Sequence, residues 1–249
     1  MFTIYVIRMK GNYPRWTRMV NSASVPDEAG DSEIVSIGES EPVEFFLHYE
    51  GRLPSNSGEE VVRIKHEIRQ SLHMQLSELW RSPELRALGE KKLESGITHK
   101  EAVAAQFSLG DFRFVPLITQ ALRLVCHLDV LFLRREDETA LITKPKDKYG
   151  GDLDNRLKVF FDALRVPTAA HELPKESKPE SHEQPYFYCL LQDDSLITKF
   201  QVESAKLLIR PALLDTVKIH DIEKHVRLTV RVTTRITALT FENMALLSG

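Results

Sequence analysis

Hydrophobic residues return along this chain at two different periods. Between residues 59 and 80, Val61, Ile64, Ile68, Leu72, Leu76 and Leu79 fall three or four apart. That is the spacing of one buried helical stripe, and Arg63, Lys65, Glu67 and Arg69 lie off it. Ser82-Pro83 offers an N-cap followed by proline at the first helical position, which predicts a short helix to about residue 93. Thr98-His99-Lys100-Glu101 reads as a capping box opening another short helix to about residue 106. Elsewhere the period is two. Residues 44–49, 112–118, 122–134, 186–191 and 196–208 predict strands. In the third of these Leu122, Leu124, Cys126, Leu128, Val130 and Phe132 share a face. A last strand over 225–236 alternates strictly, with Val226, Leu228, Val230 and Val232 inward and Arg227, Thr229, Arg231, Thr233 and Arg235 outward. Residues 2–8 alternate loosely and predict one further strand. The order of elements predicts an α/β protein of the α+β type, a mixed sheet with helices packed against it.

Polar stretches divide these elements. Residues 21–43 are rich in Ser, Glu, Asp, Gly and Pro and read as a linker, so residues 1–43 form an N-terminal extension to a domain over 44–249. Residues 135–151 form a polar loop carrying Lys144, Lys146 and Lys148. Residues 166–186 hold Pro167, Pro174, Pro179 and Pro185 among Glu, Lys, Ser and His, and read as a flexible surface insertion. The tail after Ala238 carries no pattern.

Composition narrows the class. The 249 residues are 42% hydrophobic, enough for one sizeable core. No stretch reaches the roughly 20 apolar residues of a membrane span, and the apolar stretch at residues 1–8 reads as too short for a secretory h-region followed by a cleavage site, so no leader is expected. Cys126 and Cys189 have apolar neighbours and no metal or redox spacing. A soluble, cytoplasmic protein is the expectation. A net charge of −3 argues mildly against a general nucleic-acid binder but not against a nuclease, whose metal-site acids count toward the total. The chain has no repeat, heptad, glycine-rich phosphate loop or zinc spacing.

The candidate chemistry lies at 150–164. Gly150-Gly151 release the chain into a turn. Asp152 and Asp154 follow, and a helix begins on which Leu153, Leu157, Phe160, Phe161 and Leu164 make the apolar face. Asp154, Lys158 and Asp162 recur four apart. Carboxylates at a helix start suit its dipole, and paired carboxylates suit Mg²⁺, which takes oxygen ligands together with water and phosphate. A third acid is available in Asp193-Asp194, where neighbouring strand residues would face opposite ways, so that only one reaches the metal.

Asp-Leu-Asp-Asn-x-x-Lys-x-x-x-Asp-Ala-Leu, followed by Asp-Asp-Ser-x-Ile ahead of a strand, resembles the RusA-type Holliday junction resolvases. Gly51-Arg52-Leu53-Pro54-Ser55-Asn56 is similar to a turn near the start of that family. The resemblance covers residues 43–235. It implies a RusA-like fold, a homodimer, branched DNA as substrate, and Mg²⁺, with Mn²⁺ as a substitute. It further implies that Asp152, Asp154 and Asp194 are catalytic metal ligands and Lys158 the catalytic lysine. Asp193 is then the lesser member of its pair, capping a turn or tuning its neighbour, and Asp162 orients Lys158 or a backbone group. Lys144, Lys146, Lys148 and Arg156 are candidate DNA contacts, with Arg227, Arg231 and Arg235 a further basic strand face. His127 and Asp129 share a face in a structural role. Against each stands an ordinary reading: a turn acid, a helix N-cap, an i,i+4 ion pair, a solvated face. The other functional readings are a related nuclease acting on another DNA structure, and a structure-specific DNA-binding protein that does not cut.

Overall fold

The computed structural model describes residues 43–54, 58–134, 153–208, 225–240, 243 and 246. The strand expected at 2–8, the linker before residue 43, the loop carrying Lys144, Lys146 and Lys148, and Asp152 itself lie outside the described residues. The elements run β1 (Glu44–Arg52), α1 (Glu59–Leu79), α2 (Pro83–Glu90), α3 (His99–Gln106), β2 (Ser108–Leu109), β3 (Phe112–Ile118), β4 (Leu124–Arg134), α4 (Leu153–Leu164), β5 (Phe187–Leu191), β6 (Ile197–Lys206) and β7 (His225–Ile236). They make a mixed α/β arrangement with two sheets, one ordered β1-β7-β4-β6 and the other β2-β3-β5.

In the larger sheet β7 runs antiparallel to both β1 and β4, while β6 is parallel to β4. One face of β1, β4 and β7 is apolar, and these faces share a core with α1 and α4. Phe45, Leu47, Cys126, Leu128, Val130, Phe132, Val226, Leu228, Val230 and Val232 are all buried there with Ile64, Ile68, Leu72, Leu76 and Phe160 of the helices. Burial holds both cysteine thiols protonated, each pushed up to about 12. The opposite sheet face is polar and carries its own pairing. Arg227 donates to Glu50 on β1 at 3.0 Å, and Arg231 donates through Nε and Nη2 to Asp129 on β4, directly across from it. Such cross-strand pairs are worth about 0.2–1 kcal/mol. These two arginines therefore neutralise neighbouring carboxylates, and Asp129 serves a structural role as the partner of Arg231.

Helix α1 buries more than the one stripe its leucines and isoleucines announce. Its second face carries His66, Arg69 and His73, all buried, against β5 and the segment that follows α4. Arg69 was expected on the polar side and is instead 2% exposed. Its guanidinium donates to the carbonyls of Asp162 (3.0 Å), Arg165 (3.4 Å) and Glu172 (3.2 Å). His73 accepts the Tyr188 N–H at Nδ1 (2.9 Å), which leaves Nε2–H to donate to the His182 carbonyl at 3.1 Å and fixes a neutral ring. His66 sits between Phe112 and Phe187, its ring centroid 5.5 and 6.0 Å from theirs, and burial pushes it down to about 4.

Residues 166–186 correct the expectation of a flexible insertion. Short 3-10 turns form at Ala170–Glu172 and Ser181–Glu183. Glu183 is buried and accepts a hydrogen bond from Gln70 at 2.9 Å, and Arg165 pairs with Glu172 at 3.0 Å. The prolines stiffen a stretch that packs on α1 rather than freeing it. The patternless tail is also anchored: buried Asn243 donates to the carbonyls of Leu122 (3.0 Å) and Ala238 (2.8 Å), and Leu246 enters the core. Among the described residues no helix is long and apolar enough to cross a membrane.

Replacing Arg69 by Ala leaves three inward-facing carbonyls without their cation. A loss of roughly 3 kcal/mol is expected from urea unfolding, against less than about 0.5 kcal/mol for exposed Arg81→Ala. Deleting residues 168–184 should likewise lower the thermal midpoint. The buried histidines set a pH dependence. His66 titrates at about 4 when folded against an ordinary 6.5, and the His73 shift has the same sign. Between those values the unfolded chain binds the extra proton, so stability falls as pH drops below 6.5 and is fully present above it. The thermal midpoint should decline from pH 7 to 4.5, and the decline should be shallower in His66→Phe.

Candidate functional site

The helix that bears the candidate motif forms for two reasons. Its apolar residues Leu157, Val159, Phe160, Ala163 and Leu164 all face the core, and acidic Asp154 sits in its first turn, where the dipole favours a negative charge. Position is fixed from the other end. Lys65 of α1 pairs with Asp162 at 2.5 Å, and Arg69 covers the carbonyls that close the helix. The Val166 N–H then donates to Leu191 at 3.0 Å, which ties the end of α4 to the end of β5, two residues before Asp193. A helix leaves its last four carbonyls unsatisfied, and here buried Arg69 takes up that of Asp162, while the β5 carbonyl of Leu191 accepts the N–H of Val166 just past the helix.

Asp154 and Lys158 meet on the outer surface of α4. The lysine Nζ is 3.2 Å from Asp154 Oδ2, and the side chains are 68% and 70% exposed. Both groups are therefore open to a solute while held one helical turn apart. Asp162, expected to orient Lys158, instead belongs to Lys65. Arg156, expected as a DNA contact, is 3% exposed. It lies on the inward side of the helix beside Leu157, so its guanidinium faces protein and not a backbone phosphate.

The Asp193-Asp194 pair lies in the turn between β5 and β6 and not along a strand, so strand alternation does not divide its roles; the turn does. Asp193 caps the 3-10 turn Asp194–Leu196, accepting the Ser195 N–H at 3.0 Å. Those hydrogen bonds from Ser195 hold its carboxyl below the usual carboxylate range, with Arg165 adding to the effect. Asp194 is left exposed at the first position of that turn, which packs against α4. Among the described residues no hydrogen bond or ion pair joins Asp194 to Asp154 or Lys158, and no three His, Cys, Asp or Glu side chains are gathered closely enough to hold a metal ion. Asp152 lies outside the described residues. The donors that are described, the exposed carboxylates of Asp154 and Asp194, are hard oxygens of the kind magnesium takes.

Sequence reasoning missed Lys65 and Arg69, the residues that hold the site helix. Their signal was a second stripe: Lys65, Arg69 and His73 recur at four-residue spacing, the mark of a second buried helical face. Comparison with protein families, with curated proteins and with solved structures finds no match to this chain.

The exposed Asp154–Lys158 pair should matter little to folding. Lys158→Ala is expected to change unfolding free energy by less than about 0.5 kcal/mol. Lys65→Ala, at a part-buried pair that joins two helices, should cost about 1 kcal/mol or more. Denaturant midpoints of the two variants, measured side by side, check the ordering.

Proposed function

We propose that this chain is a metal-dependent endodeoxyribonuclease of the RusA type, acting on branched DNA as a homodimer. The observation that carries the reading is the exposed Asp154–Lys158 pair at the start of a helix anchored at its far end beside the Asp193-Asp194 turn. Charged groups that do not serve stability, mounted on a rigid element, are what a reaction on a phosphate needs. The motif Asp-Leu-Asp-Asn-x-x-Lys supplies the comparison with resolvases, and with it a RusA-like fold and the role of Asp152.

Asp152, Asp154 and Asp194 would hold Mg²⁺, or Mn²⁺ in its place. The bound ion would supply an activated water and neutralise charge on the scissile phosphate. Lys158 would place its ammonium near the phosphate or the departing 3′ oxygen and stabilise the charge that develops there. Its present partner, Asp154, would release it on turning toward a cation, and with both groups so exposed that exchange costs little. Asp193 would keep the turn in shape. Lys65, Asp162 and Arg69 would act only by fixing α4. Paired nicking of a two-fold symmetric junction fits two copies of the chain, one site for each strand.

Cleavage of a labelled synthetic four-way junction, set beside duplex, flap and single strand with and without Mg²⁺, tests this directly. Junction-selective nicking that requires the divalent ion is the expected result. Asp152→Asn, Asp154→Asn and Asp194→Asn should each reduce it at least about a hundredfold, and Lys158→Ala should lower kcat by a similar factor. Wild-type cleavage by two of the three aspartate variants would place the chemistry elsewhere. Tight junction binding with no cleavage under any divalent ion would favour a DNA-binding protein.

A further inference from the structure

Phe200 stands on β6, the edge strand of the larger sheet, with its side chain 57% exposed. Its register partner on β4 is Leu128, a core residue, so Phe200 points to the side of the sheet that α4 covers. There it meets half-buried Phe161 edge-to-face, with centroids 5.3 Å apart and an interplanar angle of 64°. At roughly 100° per residue, Asp154, Lys158 and Phe161 lie along one narrow stripe of α4. The aromatic pair therefore continues the line of the acid and the lysine, about one turn beyond Lys158.

Phe161 is held by the helix core, so Phe200 is buttressed on one side and open on the other. Its strand neighbours Thr198, Lys199 and Gln201 are exposed and polar. The apolar surface on offer is thus about one ring in size. A stable protein interface buries about 800 Å² from each partner, and this patch is far smaller. It does suit the flat face of a single nucleobase, which stacks on aromatic side chains without regard to sequence.

Resting on the endonuclease reading above, we infer that Phe200, backed by Phe161, is a stacking platform that receives one unpaired base of the DNA next to the phosphate held at Asp154 and Lys158. A branched substrate supplies such a base at little cost, because pairing and stacking are already weakened where its arms meet. Phe200 is then a positioning residue that selects branched over linear DNA, and no bond is made or broken on it.

The test uses the full chain and a four-way junction carrying 2-aminopurine at the branch point. Binding is followed in EDTA and cleavage in Mg²⁺. Wild type should raise the 2-aminopurine fluorescence as the base leaves its stack. Phe200→Ala should abolish that rise and lower kcat on the junction about tenfold or more, with KM changed less than about twofold. Phe200→Tyr should restore both, and Phe200→Leu neither. The thermal midpoint of Phe200→Ala should match wild type. If Phe200→Ala keeps wild-type fluorescence and kcat while wild type cleaves, the stacking role falls and the nuclease reading stands. A large drop in its thermal midpoint, or a change in its sedimentation showing that a second copy covers the ring, also overturns the role. If wild type binds no DNA, both readings fall together.

Discussion

A buried cation at the end of a helix holds this architecture together. Arg69 reaches from the middle of α1 to three carbonyls, two from the last turn of α4 and its exit and one from the 3-10 turn at 170–172. Guanidinium carries five donors in a rigid fork, and the end of a helix presents acceptors together with the negative end of its dipole. The match removes two liabilities at once, an arginine out of water and a set of unsatisfied carbonyls inside the protein. It also fixes α4 relative to α1. The surface pair Asp154–Lys158, on the far half of α4, inherits its position from this contact.

Two kinds of surface charge are distinguished by what they touch. Arg227 and Arg231 form cross-strand pairs with Glu50 and Asp129, so their positive charge is spent within the sheet. Lys65 and Asp162 do the same between helices. Asp154 and Lys158 also touch each other, but on the surface, where the interaction is weak enough to be exchanged for another partner. A close pair in solvent leaves both members available. That difference in availability sets the start of α4 apart from the sheet pairs and from Lys65–Asp162.

Most of the framework was legible in the residue pattern. The alternation of β7, the face shared by Leu124 through Phe132, the capping box at Thr98 and the apolar stripe of α1 all recur in the structure, because each is set by local periodicity or a local hydrogen bond. What escaped was buried polarity. Arg69 and Glu183 look like surface residues until the groups they satisfy are known, and those groups lie far away in sequence. Proline content at 167–185 suggested looseness, since composition records the absence of a periodic face but not the presence of specific partners. Arg156 fell on the inward side of α4 for a similar reason: a charged residue beside a motif invites a functional reading that its place on the helix does not support. For the site, Asp193 caps its turn, one of the roles expected of it, and Asp154, Lys158 and Asp194 are exposed, while the relation of Asp152 to them lies beyond the described residues.

The place of β7 in the larger sheet has a consequence for how the chain is made. Residues 225–236 lie between β1 and β4, which begin 181 and 101 residues earlier and share no hydrogen bonds with each other in the sheet order. During synthesis the first two of these strands emerge without the one that joins them, and each waits with an unpaired edge until residues 225–236 have left the ribosome. Pairing over such separations is slow, and waiting edges invite contact with other chains. The nascent protein therefore depends on whatever shields β1 and β4 in that interval, and a chain truncated before residue 225 would be unable to close its principal sheet.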